Sequence, residues 1–189
     1  MSTVTLNISG GGKLAGKLSE YSRKLETARL VRVGFLENAR YSAADDQIRA
    51  DRLLKRSRTA AADGHPEWSA ILNVWGMWGK EHSRTLSVAQ VAYWAEFGTS
   101  TQKPRPFMRR AVSTHKTQWV TALVKHLKES SFDARYSLKK VGTEVADDFV
   151  EAIQTWPADN KPLTTYIKGF NAGLRDRGTL AKHVDFEVS

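Results

Sequence analysis

Residues 91–112 read VAYWAEFGTSTQKPRPFMRRAV. Val88, Val91, Ala92 and Ala95 share one face of a helix, and Ser87 with Gln90 three residues later forms a capping box at its start. Gly98 stands where a C′ glycine ends a helix. Pro104 and Pro106 fix their own φ and push Lys103 and Arg105 toward extended backbone. Pro106 also suits the opening of a second helix, where its missing N–H costs nothing. The stretch therefore reads as helix, stiff loop, helix: a rigid corner carrying the aromatics Tyr93, Trp94, Phe97 and Phe107. Glu96 is placed to pair with Arg105 or Arg109 and to set the corner's angle. Arg109 and Arg110 open the second helix against its dipole, a placement that calls for an acidic neighbour or DNA nearby.

Downstream, Met108, Val112, Trp119, Leu123 and Leu127 predict a long helix over 107–129. Leu138, Val141, Val145, Phe149, Ile153 and Trp156 predict another, ended by Pro157. TWPADNKP is a linker, 163–170 a short helix or ordered loop, and 171–178 a turn-rich segment. Val184, Phe186 and Val188 alternate with polar residues as a last strand. Upstream, Val4, Leu6 and Ile8 predict a short strand, and Leu14, Leu18, Tyr21 and Leu25 an amphipathic helix over 13–27. Val31, Val33 and Phe35 predict a second strand, with Gly34 marking a bulge or a close backbone approach. The expected fold is one α+β domain over 1–189: a small, mostly antiparallel sheet packed against two long helices, joined at the end by the final strand.

Residues 38–86 are the least legible and read as a Trp-rich insertion or extended arm. Ile48, Leu53 and Leu54 predict a short exposed helix. AADGHPE marks a turn. EWSAILNVWGMWGKEH places Trp68, Trp75 and Trp78 at near-helical spacing, but Gly76 and Gly79 weaken a helix there. So many aromatics exceed what a small core needs and fit subunit contacts, where Trp, Tyr and Arg are favoured.

The chain has 189 residues, no cysteine and a formal charge of +9. Disulfide and thiolate chemistry are thereby excluded. No apolar run is long enough to span a membrane, and MSTVTLNISGGG lacks the basic and apolar regions of a secretory signal. Positive charge gathers in residues 1–40 and 103–116, without the long single-sign block of a nucleic-acid arm. Lys103, Arg105, Arg110 and Lys116 are the candidate contacts to DNA or to an acidic partner. His115 and His126 stand about 16 Å apart along one helix and cannot share a metal ion. Asp45/Asp46 and Asp147/Asp148 diverge as sequence neighbours on a helix, and nothing marks the convergence that two-metal or glycosidase chemistry needs. Gly10–Gly12 has neither phosphate-loop pattern. No catalytic residue, metal or cofactor is expected.

The central motif resembles a family of tailed-bacteriophage tail-component proteins, the neck or tail-completion proteins of long-tailed phages and prophages. The resemblance rests on Trp94, Glu96, Phe97, Gly98 and Thr99, then Arg105, Pro106, Phe107 and Arg109. It extends to VRVGFLENARYS at 31–42. It also covers Pro162-Leu163, Lys168-Gly169, Leu174, Asp176, Gly178, Leu180 and the closing HVDFEVS. The chain departs from the family at Arg177, where threonine is usual, and at Gly173, where a proline often stands. The resemblance implies a non-enzymatic virion protein of the tail or neck, assembled in the host cytoplasm. It implies a homo-oligomeric ring, with six-fold symmetry favoured, against head-completion, tail-terminator or tail-tube proteins. Non-specific contact with packaged DNA fits this setting; a membrane does not. Trp94, Glu96, Phe97, Arg105, Phe107 and Arg109, with Trp68, Trp75 and Trp78, are then the expected assembly interface. The competing readings are a tail-terminator protein of the same junction and a basic DNA-binding module.

Overall fold

The structure, a computed structural model, describes residues 11–35, 39–81 and 86–189. In chain order the elements are α1 (Gly11–Leu25), β1 (Val31–Phe35), α2 (Ala43–Thr59), α3 (Pro66–Glu81) and α4 (Val88–Phe97). They continue with α5 (Phe107–Glu129), α6 (Ala134–Gln154), α7 (Pro162–Lys168), α8 (Thr179–Lys182) and β2 (Val184–Val188). The architecture is α+β. The strand expected at 4–8 and the opening of the glycine run lie outside the described residues.

β1 and β2 form a two-stranded antiparallel sheet with Val31 opposite Val188 and Phe35 opposite Val184. The register runs through Gly34 without a bulge. Arg32 and Glu187 face each other across it and pair at 2.8 Å. The other face lies on α6, with α4 reaching β1. Helix α6 can sit this close because Gly142 has no side chain: a Cβ there would stand 2.5 Å from the Phe186 ring. The expectation that two long helices cover the sheet is corrected here. α6 and α4 are the helices that mainly cover it, whereas α5 packs chiefly on α6 and reaches the sheet only through its first turns. Trp119 Nε1 donates to Asp148 at 2.6 Å, and His126 Nε2 meets Glu144 at 2.9 Å, fixing α5 against α6. Of the expected α5 stripe, Met108, Trp119, Leu123 and Leu127 are partly buried and Val112 is exposed, while Phe107 and Ala111 are buried beside them.

Two apolar clusters make the core. Val88, Ala92, Ala95, Phe107, Ile153 and Leu180 form one, between α4, α5, α6 and α8. Ala111, Val141, Val145 and Phe149 form the other, between α5, α6 and the sheet. The α6 periodicity read from sequence is the one observed. On α1, by contrast, Leu14, Leu18 and Leu25 are exposed.

The 38–86 region holds two regular helices rather than one short one. Ser42 caps α2 through a reciprocal capping box with Asp45. The glycines that weaken α3 on propensity are what bring it against α2: a Cβ at Gly76 would stand 2.6 Å from Leu54, and one at Gly79 3.4 Å from Ala50. Tertiary contact outweighs the ~1 kcal/mol propensity deficit of each glycine. Ser69 Oγ donates to the Ser57 carbonyl at 2.8 Å, and Lys80 pairs with Asp51 at 2.9 Å, closing the hairpin.

The three contacts separate cleanly by substitution. Gly142→Ala and Gly76→Ala are each expected to cost about 1–3 kcal/mol by overpacking. Gly79→Ala has room and gains helix propensity, so it is expected to be neutral or stabilising by up to about 1 kcal/mol. Urea denaturation of the three variants measures the order.

Candidate functional site

The corner at 87–112 is built from backbone outward. The Ser87 side chain caps α4 by accepting from the Gln90 N–H. Gly98 ends the helix at φ 80°, and its N–H donates to the Trp94 carbonyl at 2.9 Å. A Cβ there would meet the Gln102 carbonyl oxygen at 2.8 Å, so glycine is required both for φ and for space. Thr99 Oγ1 accepts from the Thr101 and Gln102 N–H groups, which tightens the loop. The chain then returns to α4, where the Arg105 N–H donates to the Ala95 carbonyl at 2.6 Å.

Glu96 closes the corner. Pro106 gives α5 no side-chain cap. The Glu96 carboxylate arrives from α4 instead, accepting from the Met108 N–H at 2.9 Å and the Arg109 N–H at 3.1 Å. The same group accepts from Arg109 Nε at 2.9 Å, and Arg109 Nη2 donates to the Glu96 carbonyl. This answers the misplaced cations. A buried anion sits at the positive end of the α5 dipole and pairs with the first-turn arginine. Of the two partners read from sequence, Arg109 is the one observed. Arg105 donates from Nε to both oxygens of Asp159, at 2.8 and 2.9 Å, with its side chain only 13% exposed.

The corner residues therefore divide by position. Phe107 is wholly buried, edge-on to Phe35, and Glu96 is 3% exposed, so neither presents itself to a neighbour; their expected place in an interface is corrected to one in the interior. Arg105 is mostly covered and paired with Asp159. Facing outward are Tyr93 and Phe97, 60% and 55% exposed, with ring centroids 4.8 Å apart and the Arg109 guanidinium 5.0 Å from the Phe97 ring. Lys103, Arg110 and Lys116 are exposed. The Arg110 guanidinium lies 5.7 Å from the Trp156 ring.

Behind the corner lies a cleft of about 830 Å³ between the α2–α3 hairpin, α4 and the segment 173–180. Trp75, Trp78 and Trp94 line it. Trp68 does not; it stacks on His65 at 3.8 Å beside Tyr166. Two ion pairs tie the hairpin to the far wall, Arg177 to Asp45 at 2.7 Å and Arg52 to Asp176 at 2.5 Å. Gly173 lies against Asp159, Trp156 and Arg105, where a Cβ would collide. The cleft and these long-range pairs were not read from sequence. Beside Ile48, Leu53 and Leu54, the Ser42-x-x-Asp45 capping box is a local signal for α2 and marks its start.

Hydrogen bonds from Ser42, and then from Arg177, hold the Asp45 carboxyl below the ordinary aspartate range. Burial, then the charges of Asp176 and Asp45, push the Tyr41 phenol up. Burial holds the Lys168 ammonium below the usual lysine range, aided by Arg105 and Arg52; its Nζ donates to the Ala172 carbonyl at 2.6 Å. Among the described residues no group of three His, Cys, Asp or Glu side chains could hold a metal ion. No helix among them is long and apolar enough to cross a membrane. No family model matches the chain, and no curated protein or solved structure matches it either.

Glu96→Ala is expected to cost about 1–3 kcal/mol, since it strands two N–H groups at the start of α5. Arg109→Ala is expected to cost less, because Glu96 keeps both N–H donors and Arg109 is 60% exposed. Thermal denaturation measures the difference. Asp45 has a folded pKa lowered relative to the unfolded chain, so its contribution is present above the unfolded value and lost as pH falls through the folded one. Hairpin protection in hydrogen exchange is expected to fall on acidification below about pH 4, and to be low already at neutral pH in Asp45→Asn.

Proposed function

We propose that this chain is a structural component of a tailed-bacteriophage virion, a tail-completion or neck protein that finishes or joins the tail at the head–tail junction and performs no catalysis. The observation that carries the reading is the use made of the motif residues. Glu96, Arg105, Phe107 and Arg109 set the shape of a corner, and none of them lines up with another as acid, base or nucleophile. A residue set whose work is shape belongs to a part that must fit its neighbours.

Tyr93, Phe97 and Arg109 form the outward patch of that corner, and aromatic side chains with arginine are what central subunit contacts use. A closed ring needs two different faces per subunit, so this patch would meet another surface of the next copy. Lys103, Arg110 and Lys116 then stand on the side available to packaged DNA or to an acidic neighbour in the particle.

The decisive experiment is assembly in the virus that encodes the chain. Tyr93→Ala with Phe97→Glu is expected to leave the melting temperature of the purified protein within a few degrees, yet to yield particles with unjoined or unfinished tails under the electron microscope. Normal particles from that variant would overturn the reading. So would tight binding of the purified protein to free duplex DNA at about 150 mM salt, which marks a dedicated DNA-binding module.

A further inference from the structure

The cleft behind the corner has a chemistry that the virion reading does not use. Its walls hold six cations, Arg49, Arg52, Arg105, Lys168, Arg175 and Arg177, against three carboxylates, Asp45, Asp46 and Asp176. Arg52, Arg105 and Arg177 are paired with aspartates. Arg49 and Arg175 make no ion pair with a described residue. Arg177 lines the cleft, and its Nη2 is buried with no hydrogen-bond partner among the described residues. The three tryptophans stand on the same walls. Trp75 and Trp78 are 44% and 45% exposed.

We propose that this cleft receives a short acidic segment of a partner polypeptide, seating an apolar side chain against Trp75, Trp78 and Trp94 and its carboxylates on Arg49, Arg175 and Arg177. A cleft of about 830 Å³ is of the size that encloses a ligand of a few side chains. Excess cations select an anionic ligand, and arginine pairs a carboxylate through two parallel N–H groups. Burial holds the Lys168 ammonium below the usual lysine range, and the charges of Arg105 and Arg52 act in the same direction against those of Asp176 and Asp159.

A nucleic-acid strand fits less well. Single-strand sites run cations along a groove with aromatics at successive bases. Here the cations surround one concavity, and Asp45, Asp46 and Asp176 on its walls would repel a phosphate chain. A peptide backbone offers those same aspartates N–H donors. The inference does not depend on the virion reading, because the cleft exists whatever the corner contacts.

The probe is a random copolymer of glutamate and tyrosine, titrated into the full chain while the indole N–H resonances are followed by NMR. Polyglutamate and an oligothymidylate are titrated in parallel at about 150 mM salt. The copolymer is expected to shift the Trp75, Trp78 and Trp94 indoles and to bind at least about ten-fold more tightly than polyglutamate. The double variant Arg49→Glu, Arg175→Glu breaks no ion pair among the described residues. It is expected to keep its melting temperature and to lose at least about ten-fold in affinity. Unmoved indoles, undiminished binding to the double variant, or tighter occupancy of the same indoles by the oligothymidylate would each overturn the proposal. None of these outcomes bears on the tail-assembly test, which alters only the outward patch.

Discussion

One carboxylate holds the molecule's geometry. Helix α5 is 23 residues long and begins with two cations and no cap of its own. Its first turn would leave N–H groups open at the positive end of a dipole. Glu96 supplies an acceptor and a charge at once, from the last turn of the preceding helix, so the directions of α4 and α5 are set together. Phe107 follows directly, and the first apolar cluster gathers around it from α4, α6 and α8. A capping interaction thus becomes a tertiary one. The usual local cap fixes one helix end, whereas this one fixes an angle between two helices.

The helices around the corner were legible because their signals are local. Ser87, Gly98 and the prolines act on their own or adjacent backbone, and the α5 start read from Pro106 is close to the one observed. The α6 face was legible because Val141, Val145, Phe149 and Ile153 keep helical phase along a side that really is buried. Three things were not legible, each for a physical reason. Asp159, the partner of Arg105, lies 54 residues away in a linker whose composition marks only a turn. The order of 43–81 depends on Gly76 and Gly79 meeting α2, and propensity counts those glycines against a helix. Phe107 and Glu96 look like surface chemistry in a motif rich in aromatics and charge, and only the packing shows that they point inward.

The hairpin is tied to the C-terminal segment by residues far apart in the sequence. Arg177 reaches Asp45 in α2. Gly173 lets Asp159 and Arg105 approach the C-terminal turn. Tyr166 adds a third tie: its hydroxyl reaches the Arg56 carbonyl and Asp63, with the Arg56 guanidinium 5.0 Å from its ring. The hairpin and the C-terminal turn are thus matched, and the cleft between them follows from that match.

The sheet carries a consequence for how the polypeptide matures. Val31 pairs with Val188, and the Arg29 and Leu30 N–H groups are held by the carbonyl of Ser189. Every helix between can begin to form from near neighbours, but the strands meet only after the chain has been made through Val188. Such distant pairing is slow because a long loop must close first. Until it does, the greasy flank of α6 that β2 covers stays open to water, and newborn copies crowded on one message are most prone to stick to one another in that interval.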